Sequence, residues 1–145
     1  MKRKYAVLLL ALAIIAGIAY MLFLQKQDTK TEIFGYVQEN QTALEEFAAA
    51  LMEGQMQDAA FDGRQADYYE DAEMIEFVVR ASGMGSSTSY EGFYYSAQDR
   101  PTGFQGTELD FQPDGAGWRW EESGGDNMEL TEQILPHWYW FRIRF

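Results

Sequence analysis

The apolar positions of this chain follow three periods in succession. Residues 6–24 (AVLLLALAIIAGIAYMLFL) run for 19 positions without a charge. As a helix this run spans about 28 Å, close to the ~30 Å hydrocarbon core of a bilayer. After a polar stretch, Ile33, Val37, Leu44, Phe47 and Leu51 recur at helical intervals, interrupted by Asn40, while Glu39, Glu45, Glu46 and Glu53 fall elsewhere on the wheel. Thr29 and Glu32 have the spacing of a capping box at the start of this helix, and Gly54 supplies its stop. From residue 74 the period drops to two. Residues 74–80 (MIEFVVR), 90–96 (YEGFYYS), 107–112, 117–122 (GWRWEE) and 137–145 (HWYWFRIRF) read as strands, and 128–135 reads as either strand or short helix. Residues 55–73 are acidic and aperiodic and read as a solvated loop, 82–89 (SGMGSSTS) as a Gly/Ser loop, and Pro113-Asp114-Gly115 as a turn. The fold class these elements predict is α+β: an N-terminal transmembrane helix, then one amphipathic helix packed on an antiparallel sheet of four to five strands.

Charge gives the apolar run its meaning. Of 11 Lys plus Arg and 23 Asp plus Glu, residues 1–30 hold five basic and one acidic, a balance of +4, which leaves −16 for the rest. Lys2, Arg3 and Lys4 precede the run and place the N-terminus in the cytoplasm by the positive-inside rule. The expected organisation is a cytoplasmic basic tail over 1–5, a transmembrane helix over 6–24, a linker over 25–32 and an extracytoplasmic α+β domain over 33–145. Small residues at Gly17 and Ala19 also suit a cleaved secretory signal, but the apolar run exceeds the usual 7–15 residues of a signal. Ala13 and Gly17 form a small-xxx-small pair of the kind that lets two anchors approach.

Composition removes several chemistries. With no Cys there is no disulfide, thiolate metal site or cysteine nucleophile, and a single His cannot build a His-rich metal site. A −16 domain repels nucleic-acid backbones, and 16% aromatic residues argue against disorder. No cofactor is implied. The Gly/Ser loop meets neither the Walker pattern nor the nucleophile elbow. His137 has no nucleophile or orienting acid at a recognisable spacing and reads as structural. Asp110, Asp114, Gly115 and Glu121 match positions one, five, six and twelve of an EF-hand calcium loop, but Gln112 and Pro113 break that pattern and the flanks alternate like strands. A β-hairpin is the simpler reading.

The aromatics carry the remaining signal. All four Trp lie after residue 117, as Trp118 and Trp120 and as Trp138 and Trp140, and the second pair shares its strand face with Arg142. An open face of this kind stacks on sugar rings or grips a protein surface, whereas a closed one is core.

The segments GFYYS (92–96), Asp99 with Pro101, FQG (104–106), GAGWRWEESGGDN (115–127) and TEQILPHWYWFRIRF (131–145) resemble, in this order, a group of uncharacterised single-pass membrane proteins of Gram-positive bacteria. The likeness spans residues 33–145 and is strongest after residue 90. It implies an N-terminal anchor and a small extracytoplasmic domain, and it implies no activity. The chain departs from it at Gln133, where the resemblance implies Lys, and at Arg142 and Arg144, where it implies a more neutral or acidic tail. The expected function is therefore a membrane-held binding module that contacts an envelope protein or neutral glycan through Trp118, Trp120, Trp138, Trp140 and Arg142. The rivals are a carboxylate-based hydrolase of wall polymers and an accessory subunit of another membrane protein.

Overall fold

The structure is a computed structural model and describes residues 2–54, 59–85 and 87–145; for 2–11, 19 and 21–28 it describes the main chain alone. Two compact units divide between Glu32 and Ile33. Helix α1 (Lys2–Glu39) begins in the first and ends in the second. Residues 25–32, expected as a connector, are helical, so Thr29 and Glu32 stand within a helix rather than at its start. Nothing from 25 to 32 is Gly or Pro, and polar residues alone do not break a helix. The expected membrane span lies in α1, and most of its side chains are outside the described residues. Among the described residues no helix is long and apolar enough to cross a membrane.

In the second unit α1 gives way to α2 (Gln41–Met52) at Asn40. The Asn40 side-chain amide donates to the Tyr36 carbonyl at 2.8 Å, competing with the helical ladder where the polar interruption predicted it. All five positions picked by the helical period, Ile33, Val37, Leu44, Phe47 and Leu51, are buried. Gly54 takes φ +71° and donates to the Leu51 carbonyl, closing α2 as a left-handed stop.

The sheet is larger than predicted. Strands β1 (Ala60–Phe61) and β2 (Arg64–Gln65) make a small hairpin. β3 (Asp67–Tyr69), β4 (Met74–Met84), β5 (Ser87–Ser96), β6 (Gln112–Asp114), β7 (Gly117–Glu121), β8 (Met128–Leu135) and β9 (Trp138–Arg144) form one antiparallel sheet in the order β3-β4-β5-β9-β8-β7-β6. Three expectations are corrected. The 55–73 loop carries β1, β2 and β3, which at two or three residues are too short to show a period. Most of the Gly/Ser loop is strand, because β4 and β5 continue to pair out to Met84 and Ser87. Gly83 permits this, since a Cβ there would stand 1.9 Å from the Ser87 carbonyl oxygen. The strand expected over 107–112 is instead irregular chain, with pairing only from Gln112.

Both faces of the sheet are covered. On one, Ile75, Phe77, Phe93, Trp138 and Trp140 pack with the buried positions of α1 and α2, and the Phe77 and Phe93 rings stack at 4.6 Å. On the other, Met74, Tyr94, Tyr139, Phe141 and Ile143 meet Phe104, which belongs to a strap, residues 97–111, laid across the strands. Gly92 sits between β4 and β9 where a Cβ would come 2.0 Å from the Phe77 carbonyl oxygen and 2.9 Å from the Phe141 ring. This is why the strand reads YEGFYY without a side chain at its centre.

Candidate functional site

Of the two readings of the aromatic face, open or closed, the closed one holds for Trp138 and Trp140. Trp138 is fully buried and Trp140 nearly so, both under the helices. The Trp140 indole donates to Glu91 at 3.0 Å, and Arg142 reaches the same carboxylate oxygen at 2.7 Å with its guanidinium 5.3 Å from the Trp140 ring centre. Glu91 lies opposite Arg142 in the β5–β9 register, so this charge pair is built by strand pairing. Trp118 and Trp120 are half-buried on the strap face, opposite Thr131 and Glu129, and Trp118 lies 6.1 Å from Tyr139. The sequence alternation places each Trp pair on one face, but the two pairs take opposite faces of the sheet.

The remaining candidates converge on the far edge. β6 and β7 form a hairpin turned at Gly115 (φ +60°), and a cleft of about 430 Å³ beside it is lined by Asp110, Gln112, Pro113, Asp114, Arg119, Trp120 and Glu121. The three calcium candidates, Asp110, Asp114 and Glu121, thus share one cleft. They do not form an EF-hand, because strands and irregular chain flank them and Arg119 pairs with Glu121. Among the described residues no three His, Asp or Glu side chains are grouped to hold a metal ion. The cleft offers carboxylate and amide acceptors, an Arg donor and an indole within a volume that fits a small ligand.

Periodicity missed a second constellation, the attachment of the strap. The Phe104 N–H donates to both carboxylate oxygens of Glu129 (3.0 and 3.1 Å), and the next N–H, Gln105, donates to Glu76 (3.0 Å). The turn Phe104–Gly106 aims these groups because Gln105 adopts left-handed backbone (φ +57°) and Gly106 follows at φ +73°. Glu76 on β4 and Glu129 on β8 are both completely buried. Burial pushes the Glu76 carboxyl up to about 7 and the Glu129 carboxyl up to about 8, against the lowering effect of the N–H groups. Beside them runs a complete hydrogen-bond chain. The Thr102 N–H donates to the Tyr94 hydroxyl (3.1 Å), which donates to Thr131 Oγ1 (2.9 Å), which donates to the Trp140 carbonyl (2.9 Å).

The strap's start is tied by Asp99, at φ +48°. Its Oδ1 accepts from the His137 N–H (2.6 Å), the Gln133 amide (2.8 Å) and the Tyr139 hydroxyl (3.1 Å), and the His137 N–H is the main reason its carboxyl is held below the ordinary value. His137, read as structural, has its Nδ1 2.9 Å from the Ser96 carbonyl oxygen. Asp99→Ala removes three hydrogen bonds from an exposed hub, and we expect about 1–2 kcal/mol of lost stability in urea unfolding. A change within ±0.3 kcal/mol would show that water replaces the hub at no cost.

The chain is thus defined as an α+β protein with an antiparallel sheet covered by helices on one face and by a clasped strap on the other. No family model, curated protein or solved structure matches it.

Proposed function

We propose that this protein is a single-pass membrane protein whose 33–145 domain stands outside the cytoplasmic membrane and binds a neutral envelope glycan at the β6–β7 cleft. The observation that carries the reading is the convergence of Trp120 with Asp110, Gln112, Asp114 and Arg119 around one cleft at an exposed sheet edge. Carboxylate and amide groups accept from paired sugar hydroxyls, and an indole supplies an apolar surface for the ring's C–H face. The −16 balance of residues 31–145 disfavours anionic polymers and leaves neutral ones. The binding proposed needs no cofactor, and it is favoured over hydrolysis because the carboxyls displaced toward neutrality, Glu76 and Glu129, are buried and engaged by main-chain N–H groups.

The anchor rests on the basic N-terminus and on Leu12, Ile14, Ile15, Ile18 and Tyr20, each more than half exposed, a row of apolar side chains that lipid would cover. The resemblance implies the same topology. Protease added to intact spheroplasts should remove residues 33–145 and spare the N-terminal tail; protection of the domain would reverse the orientation. For the cleft, the probe is neutral oligosaccharide released from purified cell wall, titrated into the full chain in micelles. Gln112→Ala with Asp114→Ala, both exposed, should weaken binding at least about tenfold, or ~1.4 kcal/mol, with the melting temperature unchanged. Equal binding by this variant would sink the cleft reading.

A further inference from the structure

Glu76 and Glu129 come from non-adjacent strands, β4 and β8, yet receive consecutive main-chain N–H groups of one turn. A carboxylate that is wholly enclosed and bonded only to a surface segment has one route to water, which is the departure of that segment. We propose that Glu76 and Glu129 form a proton-operated clasp: with the pair protonated the strap 97–111 lies closed on the sheet, and ionisation of the pair releases it.

The geometry sets the direction. Closure removes both carboxyls from water, and each keeps N–H partners from the strap alone among the hydrogen bonds described for it. The main-chain N–H groups favour the ionised form, but burial outweighs them, so the closed state holds the protons more tightly than the open one. The charges around the pair add to this. Asp67 on β3 acts on Glu76, and Glu76 acts on Glu129, in both cases against ionisation. Tyr69 on β3, Tyr90 and Tyr94 on β5 and Tyr139 on β9 are phenols on this face. The strap itself brings Asp99, Arg100, Glu108 and Asp110; Arg100 approaches Glu108 at 4.0 Å, and Asp99 is engaged with His137, Gln133 and Tyr139. The acids Glu70, Asp71 and Glu73, in the 3-10 turn that follows β3, carry the same sign as the ionised pair. Among the described residues no cation forms an ion pair with Glu76 or Glu129.

Release is local. The strap is held at its centre by the two Glu contacts, by the Thr102 N–H on the Tyr94 hydroxyl and by the Phe104 ring against Tyr90 and Phe141, and at its start by Asp99, whereas β4, β5, β9 and β8 are tied by continuous ladders. The test is amide hydrogen exchange of the full chain in micelles at pH 5.5, 7 and 8.5, each rate divided by the intrinsic rate at that pH. Protection of the Phe104 and Gln105 amides should fall at least about tenfold from pH 5.5 to 8.5, the effect of one pKa unit between states, while Phe93 and Phe141 keep theirs. In Glu76→Gln with Glu129→Gln the fall should disappear. Protection at Phe104 and Gln105 that is independent of pH, or that falls equally in the Gln variant, overturns the clasp. If the double variant does not fold, carboxyl ¹³C titration of the unmodified chain decides: midpoints above the ordinary carboxylate range for both residues support it, and midpoints within that range overturn it.

Discussion

Trp138→Ala should lower the unfolding free energy by about 3–5 kcal/mol, a large share of the 5–15 kcal/mol typical of a domain. The residue is fully enclosed, with Tyr95 edge-on at 5.2 Å, Phe93 at 6.1 Å and Phe77 at 6.4 Å, so truncation leaves a void between sheet and helices that these rings cannot close together. Its indole N–H has no hydrogen-bond partner among the described residues. Trp138→Phe therefore keeps most of the packing and removes a donor that is costly to bury, and it should cost no more than about 1.5 kcal/mol. Gln112→Ala with Asp114→Ala, at the exposed hairpin, should leave unfolding unchanged within about 0.5 kcal/mol. Chemical unfolding of the variants separates core from binding surface. A Trp138→Ala protein of full stability that no longer captures ligand would return Trp138 to the binding face.

The contrast between these Trp residues marks where sequence reading stops. Alternation along HWYWFRIRF correctly separates Trp138 and Trp140 from Tyr139, Phe141 and Ile143, because a strand's period is local. Whether either side is covered depends on segments far along the chain, and here both are. For the same reason Glu76, which alternates with Ile75 and Phe77 as an outward residue should, is buried: the strap that covers it lies 29 residues on. The amphipathic helix was legible in all five buried positions, since its period needs no distant partner. Strands β1 to β3 were not, being too short for any period, and the turn-rich polar strap has the composition of an ordinary surface loop. The segments quoted for the resemblance supply the strap's side of this attachment and the packing around it, whereas Glu76 and Glu129 lie outside them. Gly92 makes room between β4 and β9, Asp99 ties the strap's start, FQG presents the two N–H groups, and Gly117 lies where a Cβ would come 2.2 Å from the Thr131 carbonyl oxygen. Within this chain those motif residues serve the architecture, and the candidate cleft gathers residues that no single motif joins.

The same clasp predicts an unusual dependence of global stability on pH. A carboxyl whose folded value lies above its unfolded one stabilises the fold fully below the unfolded value, and that contribution is lost as pH rises through the folded one. For Glu76 the window runs from about 4.5 to about 7, and for Glu129 from about 4.5 to about 8. Asp99 has the opposite sign: its carboxyl is lowered, so its contribution is present above the ordinary carboxylate value and is lost on acidification. Stability should therefore peak near pH 5 and decline toward pH 8, with each retained proton worth about 1.4 kcal/mol per pH unit until it is released. Glu129→Gln isolates one of the two. Its amide oxygen can still accept from Phe104 N–H, but it cannot ionise, so its unfolding free energy relative to the unmodified chain should climb between pH 5 and 8 by a few kcal/mol and then level off. Glu129→Ala leaves the buried Phe104 N–H without its acceptor and should be destabilised at every pH by about 1–3 kcal/mol. Denaturant unfolding of the three proteins at half-unit steps of pH supplies the measurement. Parallel curves for the unmodified and Gln chains would mean that Glu129 ionises without cost, and that burial does not govern its proton.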